Sequence, residues 1–340
     1  MLRCFGRIAF LLLLPVGLSI AGGCASDKQV ISQAADVHKS LSPAVIEDEV
    51  LVNYIQEVGD RIIEQAAKLS ASGKAPNKHY EGDNSWMFGE GMRFHFVNSK
   101  TLNAFTTGGE HMYIYTQLFV ECKSEDELAA VMAHEFAHIY GRHVQKGMDR
   151  QIAALVGGAV VGGAAGYALG GDDNKAGAAL AGAGIGIAGG QFLNMGFTRA
   201  DESEADKYGF RFYTRAGWDP EKFDGFFRSM IEKGYDTTPE ILSDHPSLKN
   251  RVKTLQEYVR NLPPEAAEWR RDPVAGPKRF RELQQRALRV GKGMPSDSSL
   301  ENSQELLQAL PRSCVTPIPQ FEDQREAQEH LMRKAQAKSD

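Results

Sequence analysis

The chain has 340 residues, of which 42% are hydrophobic and 24% are charged, and its formal net charge is −5. This length allows one large domain, or one domain with an appendage, that buries its own core. The mild negative charge argues against nucleic acid as a partner, because nucleic-acid binding depends on basic surfaces.

Residues 1–23 have the pattern of an export signal. Arg3 and Arg7 form a basic start, and the apolar run from Ile8 to Ile20 is short for a bilayer span. The sequence A-G-G-C that ends at Cys24 resembles a bacterial lipoprotein box, so we expect cleavage before Cys24 and lipid on its thiol. An uncleaved N-terminal anchor is the alternative. The absence of aspartate after Cys24 favours the outer membrane, facing the periplasm.

Helical and strand periodicities follow in order. Residues 29–70 carry apolar side chains at helical spacing and predict helix. Residues 71–90 are polar and glycine-rich and predict a loop. Residues 92–97 and 112–115 alternate in polarity and predict two strands, the second after a turn at Gly108-Gly109. The apolar positions of the predicted helix include Val50, Ile55, Val58, Ile62 and Ile63.

The next predicted helix carries the sequence H-E-F-A-H. Ser124 and Glu127 have the spacing of a capping box at its start. His134 and His138 are one helical turn apart, so both imidazoles can bind one metal ion from the same side. Glu135 can then reach a water in the open coordination position. A chance occurrence on an amphipathic helix is the alternative.

A glycine-rich stretch occupies residues 151–195. Glycine recurs every four residues in two apolar segments joined by a polar turn, which predicts a helical hairpin with close helix contact. So many glycines cost helix stability in water, at about 1 kcal/mol each relative to alanine. Three interpretations stay open: a membrane-inserting element, a mobile lid over the active site, and a tightly packed internal hairpin.

The last third of the chain changes in composition. Residues 201–262 predict further helices, whereas residues 263–340 are rich in charge, glutamine and serine and are broken by prolines. We expect this tail to be helical or partly disordered. An oxidising compartment would permit a disulfide between Cys122 and Cys314, but two free thiols are equally compatible with the sequence.

A catalytic zinc needs a third protein ligand besides two histidines. The sequence E-x-x-A-D runs from Glu202 to Asp206, and Arg142 and His143 continue the first motif. Together these motifs resemble the HtpX, CAAX prenyl protease and Oma-type zinc metallopeptidases, which are gluzincins. The soluble, LoiP-like lipoprotein members of this family fit better than its membrane-spanning members.

The resemblance implies roles for particular residues. It implies one Zn²⁺ per chain, bound by His134, His138 and Glu202, with Glu135 as the general base. Glu204 is the rival third ligand by spacing alone. The family assigns a proton donor to the position of Asp206, for which support of a ligating histidine is the alternative. For Arg142 and His143 we expect a structural role in holding the helix.

Two further family features imply a substrate site. Residues 103–105 and the strand at residues 112–115 resemble the edge strand along which family members lay substrate. His245-Pro246, with Arg251 behind it, resembles an element whose histidine can face the metal cleft and assist catalysis. The expected substrate-binding residues are Asn103, Ala104, Phe105, Tyr113, Ile114 and Tyr115.

The resemblance covers roughly residues 40–262. It implies an α+β fold, a mainly helical zincin with a small β-sheet that carries a substrate-binding edge strand. We expect the metallopeptidase domain over residues 24–262, with the glycine-rich hairpin as an insert. The implied function is a zinc endopeptidase of the bacterial cell envelope that hydrolyses unfolded or misassembled proteins in quality control. The alternative is a non-proteolytic, chaperone-like assembly factor that uses the same cleft. Membrane contact is expected through the lipid, with the hairpin as a second candidate.

Overall fold

The computed structural model describes residues 27–73, 84–89, 91–150, 197–234 and 247–300. The export signal, Cys24, the glycine-rich stretch, His245 and Cys314 lie outside the described residues.

The described part of the chain is mainly helical with one small sheet, which confirms the predicted fold class. The helices are α1 (Asp27–Leu41), α2 (Glu49–Ala71), α3 (Ser85–Phe88), α4 (Thr116–Glu121), α5 (Glu125–Tyr140), α6 (Arg199–Ala216), α7 (Gly225–Glu232), α8 (Leu248–Arg260) and α9 (Pro277–Gly291). The strands are β1 (Arg93–Val97), β2 (Ala104–Thr106) and β3 (His111–Tyr115). Both predicted strands are therefore confirmed, and a further helical stretch covers residues 143–150.

The predicted helix over residues 29–70 is interrupted. Pro43 lies in a short 3-10 helix, and its ring and missing N–H prevent α1 from continuing. Asp48 then starts α2, where its carboxylate accepts a backbone N–H of the first turn at 3.2 Å. Val50 is 41% exposed, so its place in the predicted apolar stripe was wrong, whereas the other four residues of that stripe are buried.

The sheet has the strand order β1-β3-β2, with β3 in the centre. Strand β3 runs parallel to β1 and antiparallel to β2, so that Tyr113 lies between His95 and Phe105. Both sides of residues 112–115 are thus occupied by hydrogen-bonded neighbours. The expected docking of substrate beside this strand was therefore wrong, and Tyr113, Ile114 and Tyr115 do not form an edge. Strand β2 is an edge strand among the described residues.

The two faces of the sheet bury different cores. Phe94, Phe96 and Ile114 point into the main core, which α2 and α5 also line. Tyr113 and Tyr115 point to the opposite face, where they share a second cluster with apolar residues of α1. This division follows from the alternation of side chains along a strand. It places α1 on one side of the sheet and α5 mainly on the other.

The packed body extends beyond the predicted domain boundary at residue 262. Helix α9 buries Phe280 and Leu283 in the main core. The side-chain amide of Gln284 donates to the carbonyls of Phe119, at 2.7 Å, and Cys122, at 2.8 Å. The first part of the predicted tail is therefore an ordered component of the domain.

Two predictions about the rest of the chain have partial outcomes. Cys122 is buried and forms no disulfide within the described part of the chain, and burial raises the pKa of its thiol well above the usual value. No helix in the described ranges combines the length and apolar character that a bilayer crossing requires.

Candidate metal centre

Helix α5 carries the H-E-F-A-H sequence in a fully enclosed position. It packs against α2, α6 and the sheet, so both polar and apolar residues of its middle turns are buried. The predicted capping box does not form: the Ser124 side chain makes no capping bond. The Glu127 carboxylate instead accepts the backbone N–H of Lys123 at 2.8 Å.

Helix α6 presents the second motif to α5. Its start is fixed by a capping box in which Thr198 and Asp201 bond reciprocally. Further along, Gly209 lies directly on the backbone of α5. This close approach brings Glu202 to the histidines of α5.

His134, His138 and Glu202 converge at one point. The two Nε2 atoms are 3.1 Å apart. A carboxylate oxygen of Glu202 lies 3.6 Å from Nε2 of His134, and the other lies 3.7 Å from Nε2 of His138. Ligands at about 2.1 Å from a tetrahedral zinc ion are separated from one another by about 3.4 Å. The spacing and the donor set therefore fit a zinc ion.

Glu204, the rival ligand, is directed elsewhere. Its carboxylate lies 3.1 Å from Nε2 of His143 and 2.9 Å from Nζ of Lys146. Burial alone would raise its pKa, but these hydrogen bonds lower it to about 2. Glu202 alone of the two acidic residues meets the histidine pair.

The imidazole of His134 is oriented by Asp206. Its Nδ1 lies 3.0 Å from Oδ1 of Asp206, which accepts the Nδ1 proton and leaves the Nε2 lone pair for the ion. Arg251 donates to Asp206 at 2.6 and 3.0 Å, and its Nη2 lies 3.2 Å from the same Nδ1. Burial would raise the pKa of Asp206, but Arg251 and His134 outweigh burial and hold it below its usual value. The geometry thus favours the supporting role for Asp206 over proton donation.

A second hydrogen-bond chain orients His138. Its Nδ1 lies 2.8 Å from Nδ1 of His143, whose Nε2 in turn reaches Glu204. When Nδ1 of His138 donates its proton to His143, and Nε2 of His143 donates its proton to Glu204, the lone pair on Nε2 of His138 is left for the ion. The chain turns after α5 because Arg142 adopts a left-handed conformation, with φ of 51°, and this turn places His143 beside His138. The expected role of His143 in merely holding the helix was therefore incomplete.

Arg142 does perform the predicted structural role. Its guanidinium binds both carboxylate oxygens of Asp27 on α1, at 3.1 and 3.0 Å, and the side-chain oxygen of Asn84. This bidentate pair fixes the turn between α5 and the helical stretch that begins at His143. Helix α1 thereby supports the metal centre from outside the core.

Glu135 is fully buried next to the three candidate ligands. Neither of its carboxylate oxygens has a partner with hydrogen-bond geometry among the described residues. Burial, reinforced by the charge of Glu202, raises its pKa well above the usual value, whereas Arg251 and the backbone N–H of Thr106 oppose the rise. A carboxylate in this environment readily takes up a proton, as a general base must.

Arg251 is the main component of the site that sequence reasoning did not assign. Its guanidinium lies over the ring of Phe227, 4.1 Å from the centroid, and Nη1 lies 3.7 Å from Glu202. It thus offsets the negative charge of Glu202 and Asp206 in a buried centre. Only its position behind His245-Pro246 pointed to it in the sequence.

Strand β2 lies beside α5 at the centre. The carbonyl of Asn103 accepts the N–H of Tyr115 at 3.0 Å, so alternate backbone groups of β2 face β3. The backbone groups of Ala104 and Thr106 face away from β3. The N–H of Thr106 points toward Glu135. The side-chain amide of Asn103 is buried with no hydrogen-bond partner within the described part of the chain. All three residues are fully buried, and the side of β2 that faces away from β3 lies against α5.

Comparison with known proteins is consistent with this geometry. The family model of Peptidase family M48 matches residues 60–259. The chain is 29% identical over 229 residues to the beta-barrel assembly-enhancing protease of Escherichia coli strain K12, covering 66% of this chain and 42% of that protein. It is 28% identical over 221 residues to the mitochondrial metalloendopeptidase OMA1 of Arabidopsis thaliana, covering 65% of this chain and 41% of that protein. The chain thus spans about two fifths of the length of these curated relatives.

Proposed function

The chain belongs to peptidase family M48, and from this we propose that it is a zinc-dependent endopeptidase of the bacterial cell envelope that hydrolyses unfolded or misassembled proteins. Membership of the family and the relatives named as metalloendopeptidases identify a metalloprotease. Zinc as the metal, one ion per chain, the substrates and the envelope location belong to the proposal. The convergence of His134, His138 and Glu202 beside a buried Glu135 carries it.

In the proposed chemistry, the residues of the centre have different roles. His134, His138 and Glu202 would hold the ion, which when bound lowers the pKa of a water molecule to about 7 and polarises a carbonyl group. Glu135 takes the proton of the attacking water and passes it to the leaving amine.

The surrounding residues keep the site in the required state. Asp206 and His143 hold the two imidazole rings in the tautomer that presents Nε2. Arg251 neutralises the carboxylates that would otherwise repel one another. An assisting role for His245 stays a prediction, since that residue lies outside the described ranges.

Substrate recognition is proposed along β2. An extended peptide paired with the outward backbone groups of Ala104 and Thr106 would pass next to Glu135. Main-chain pairing tolerates varied side chains, which suits an enzyme that acts on unfolded segments of many proteins.

The location is proposed from the N-terminal sequence and the relatives. Cys24 would carry lipid, and α1 begins three residues later at Asp27, so the catalytic domain would sit close to the membrane. The relative from Escherichia coli is named for beta-barrel assembly, which supports a role with envelope proteins.

Cleavage of casein or of an unfolded envelope protein by the purified protein tests the proposal. Activity should disappear with a chelator and in Glu135→Gln, which should still bind zinc. Glu127→Gln is the matched control, because it makes the same change on α5 away from the metal ligands. Zinc-loaded wild-type protein that binds unfolded proteins but never cleaves them would instead support the non-proteolytic assembly factor.

A further inference from the structure

Three histidines meet on the face of the sheet that α1 covers. His38 comes from the end of α1, His95 from β1 and His111 from the start of β3, and one ligand nitrogen from each lies within 4.8 Å of the others. The rings of His38 and His111 stack with centroids 4.2 Å apart, so one of the two rings must turn for both to bind one ion. Nε2 of His95 lies 3.0 Å from Nδ1 of His111. The cluster shares no residue with the candidate metal centre.

One pair of nitrogens in this cluster is spaced like a pair in the candidate metal centre. There, the two Nε2 atoms of His134 and His138 are 3.1 Å apart, and here Nε2 of His95 and Nδ1 of His111 are 3.0 Å apart. Two imidazole nitrogens at this distance either share one proton or face one ion. The third histidine, which a simple imidazole–imidazole hydrogen bond does not need, favours the ion.

The surroundings of the three rings lower their pKa values. Burial, together with neighbouring groups such as the His38 ring and Arg93, lowers the pKa of His95 to about 3 and that of His111 to about 4. Burial also lowers the pKa of His38. Each ring is therefore neutral at neutral pH and keeps one nitrogen lone pair. All three side chains are half-buried, so an ion can reach them from solvent.

We propose that His38, His95 and His111 bind a second divalent transition-metal ion of the zinc class, which fastens α1 to the sheet. Three neutral imidazoles with one open position form a set that suits zinc, copper or nickel. The hydroxyl of Tyr113 lies 3.1 Å from Nδ1 of His38 and orients that ring, so that its Nε2 can serve as the ligand. The nearby charge of Glu47 favours a cation, and that of Arg93 opposes it.

This ion would have a structural role. Asp27, at the start of the same helix, binds Arg142 in the turn that leads to His143. Fastening α1 at His38 therefore stabilises a support of the candidate metal centre without supplying a ligand to it. The site differs in this way from the proposed catalytic zinc, and its existence does not depend on peptidase activity.

Metal content per chain is the first test, using full-length protein saturated with Zn²⁺ and then desalted. Wild-type protein should retain about two ions, and His38→Gln and His95→Gln about one each, with chelator-sensitive activity preserved. Glu202→Ala should also retain about one ion but lose activity, and the variant combining it with His38→Gln should retain none. His330→Gln, a histidine outside the described ranges, is the matched control and should retain two.

A second measurement does not require any histidine variant to fold. Co²⁺ added to Glu202→Ala should produce the visible absorption of a histidine-bound ion at one equivalent, and Zn²⁺ should abolish it and raise the Tm. One zinc per wild-type chain, two in both histidine variants, or no cobalt signal in Glu202→Ala would each overturn the proposal.

Discussion

Gly209 of α6 lies so close to His134 of α5 that a Cβ atom at position 209 would be 2.9 Å from the Cα atom of His134. The helix that carries Glu202 and the helix that carries the histidines are therefore in backbone contact. Since the three ligands must meet within a few tenths of an ångström, the absence of a side chain at this position sets the dimensions of the metal centre.

Gly209→Ala should weaken zinc binding by roughly tenfold or more and lower the free energy of unfolding by about 1–3 kcal/mol, because α6 must move away from α5. Chelator competition and denaturant unfolding measure the two effects. Gly276→Ala is the control, since an added Cβ there has open space. Wild-type zinc affinity in Gly209→Ala would show that the backbone contact does not set the ligand spacing.

The two acidic candidates for the third ligand can be separated by metal analysis. Glu202→Ala should lose the catalytic ion. Glu204→Ala should keep it with affinity reduced about 10–100-fold, because the hydrogen-bond chain through His143 to His138 is shortened. His143→Gln should resemble Glu204→Ala. The reverse pattern, with metal lost in Glu204→Ala alone, would contradict the ligand set.

Proline at two neighbouring positions of β2 tests substrate docking. Ala104→Pro removes an outward backbone donor, whereas Phe105→Pro removes one that faces β3 and should break the sheet. Ala104→Pro should raise KM for unfolded proteins several-fold with zinc content unchanged. Wild-type KM in a folded, zinc-loaded Ala104→Pro protein would eliminate pairing along β2.

The ion pair between Asp48 and Arg286 should contribute to stability in a pH-dependent way. The hydrogen bonds that the Asp48 carboxylate accepts lower its pKa in the folded protein, and those from Arg286 have the largest effect. The contribution is thus fully present above the unfolded pKa of about 3.9 and is lost as pH falls through the lower folded value. Asp48→Asn keeps a good N-cap and isolates the ion pair, while Asp48→Ala should cost about 1 kcal/mol more.

Unfolding of both variants and wild type at several pH values measures this effect. The difference between wild type and Asp48→Asn should shrink as pH decreases below about 4. A difference that stays constant over that range would mean that Asp48 does not titrate with the ion pair.

Cys24→Ser should release the protein into the soluble envelope fraction and change its processed mass, because the lipid anchor is lost. Fractionation and mass spectrometry of both proteins check this. Membrane association that survives the substitution would favour an uncleaved anchor or the glycine-rich stretch as the membrane contact.

The sequence predicted which side chains converge at the candidate metal centre because their spacing is local. A helix places His134 and His138 on one face whatever surrounds it, and the E-x-x-A-D motif distinguished Glu202 from Glu204. The sheet edge was misplaced because strand order depends on pairing between distant segments. Residues 112–115 alternate equally well in a central or an edge strand.

The supporting contacts could not be predicted for a related reason. Arg251, His143 and Asp27 act through partners far away in sequence or through a left-handed turn at Arg142. Sequence periodicity does not predict these long-range contacts, which depend on how α1 and α8 pack against the rest of the domain. The histidine cluster was missed for the same reason, since its members lie on three separate elements.

The glycine-rich stretch divides the candidate zinc ligands in the sequence, with His134 and His138 before it and Glu202 after it. During synthesis the two imidazoles therefore emerge well before the carboxylate, and a pair of imidazoles holds zinc far more weakly than the complete set. The candidate metal centre is therefore complete only once α6 has docked on α5, and under the proposed function hydrolysis would begin only then.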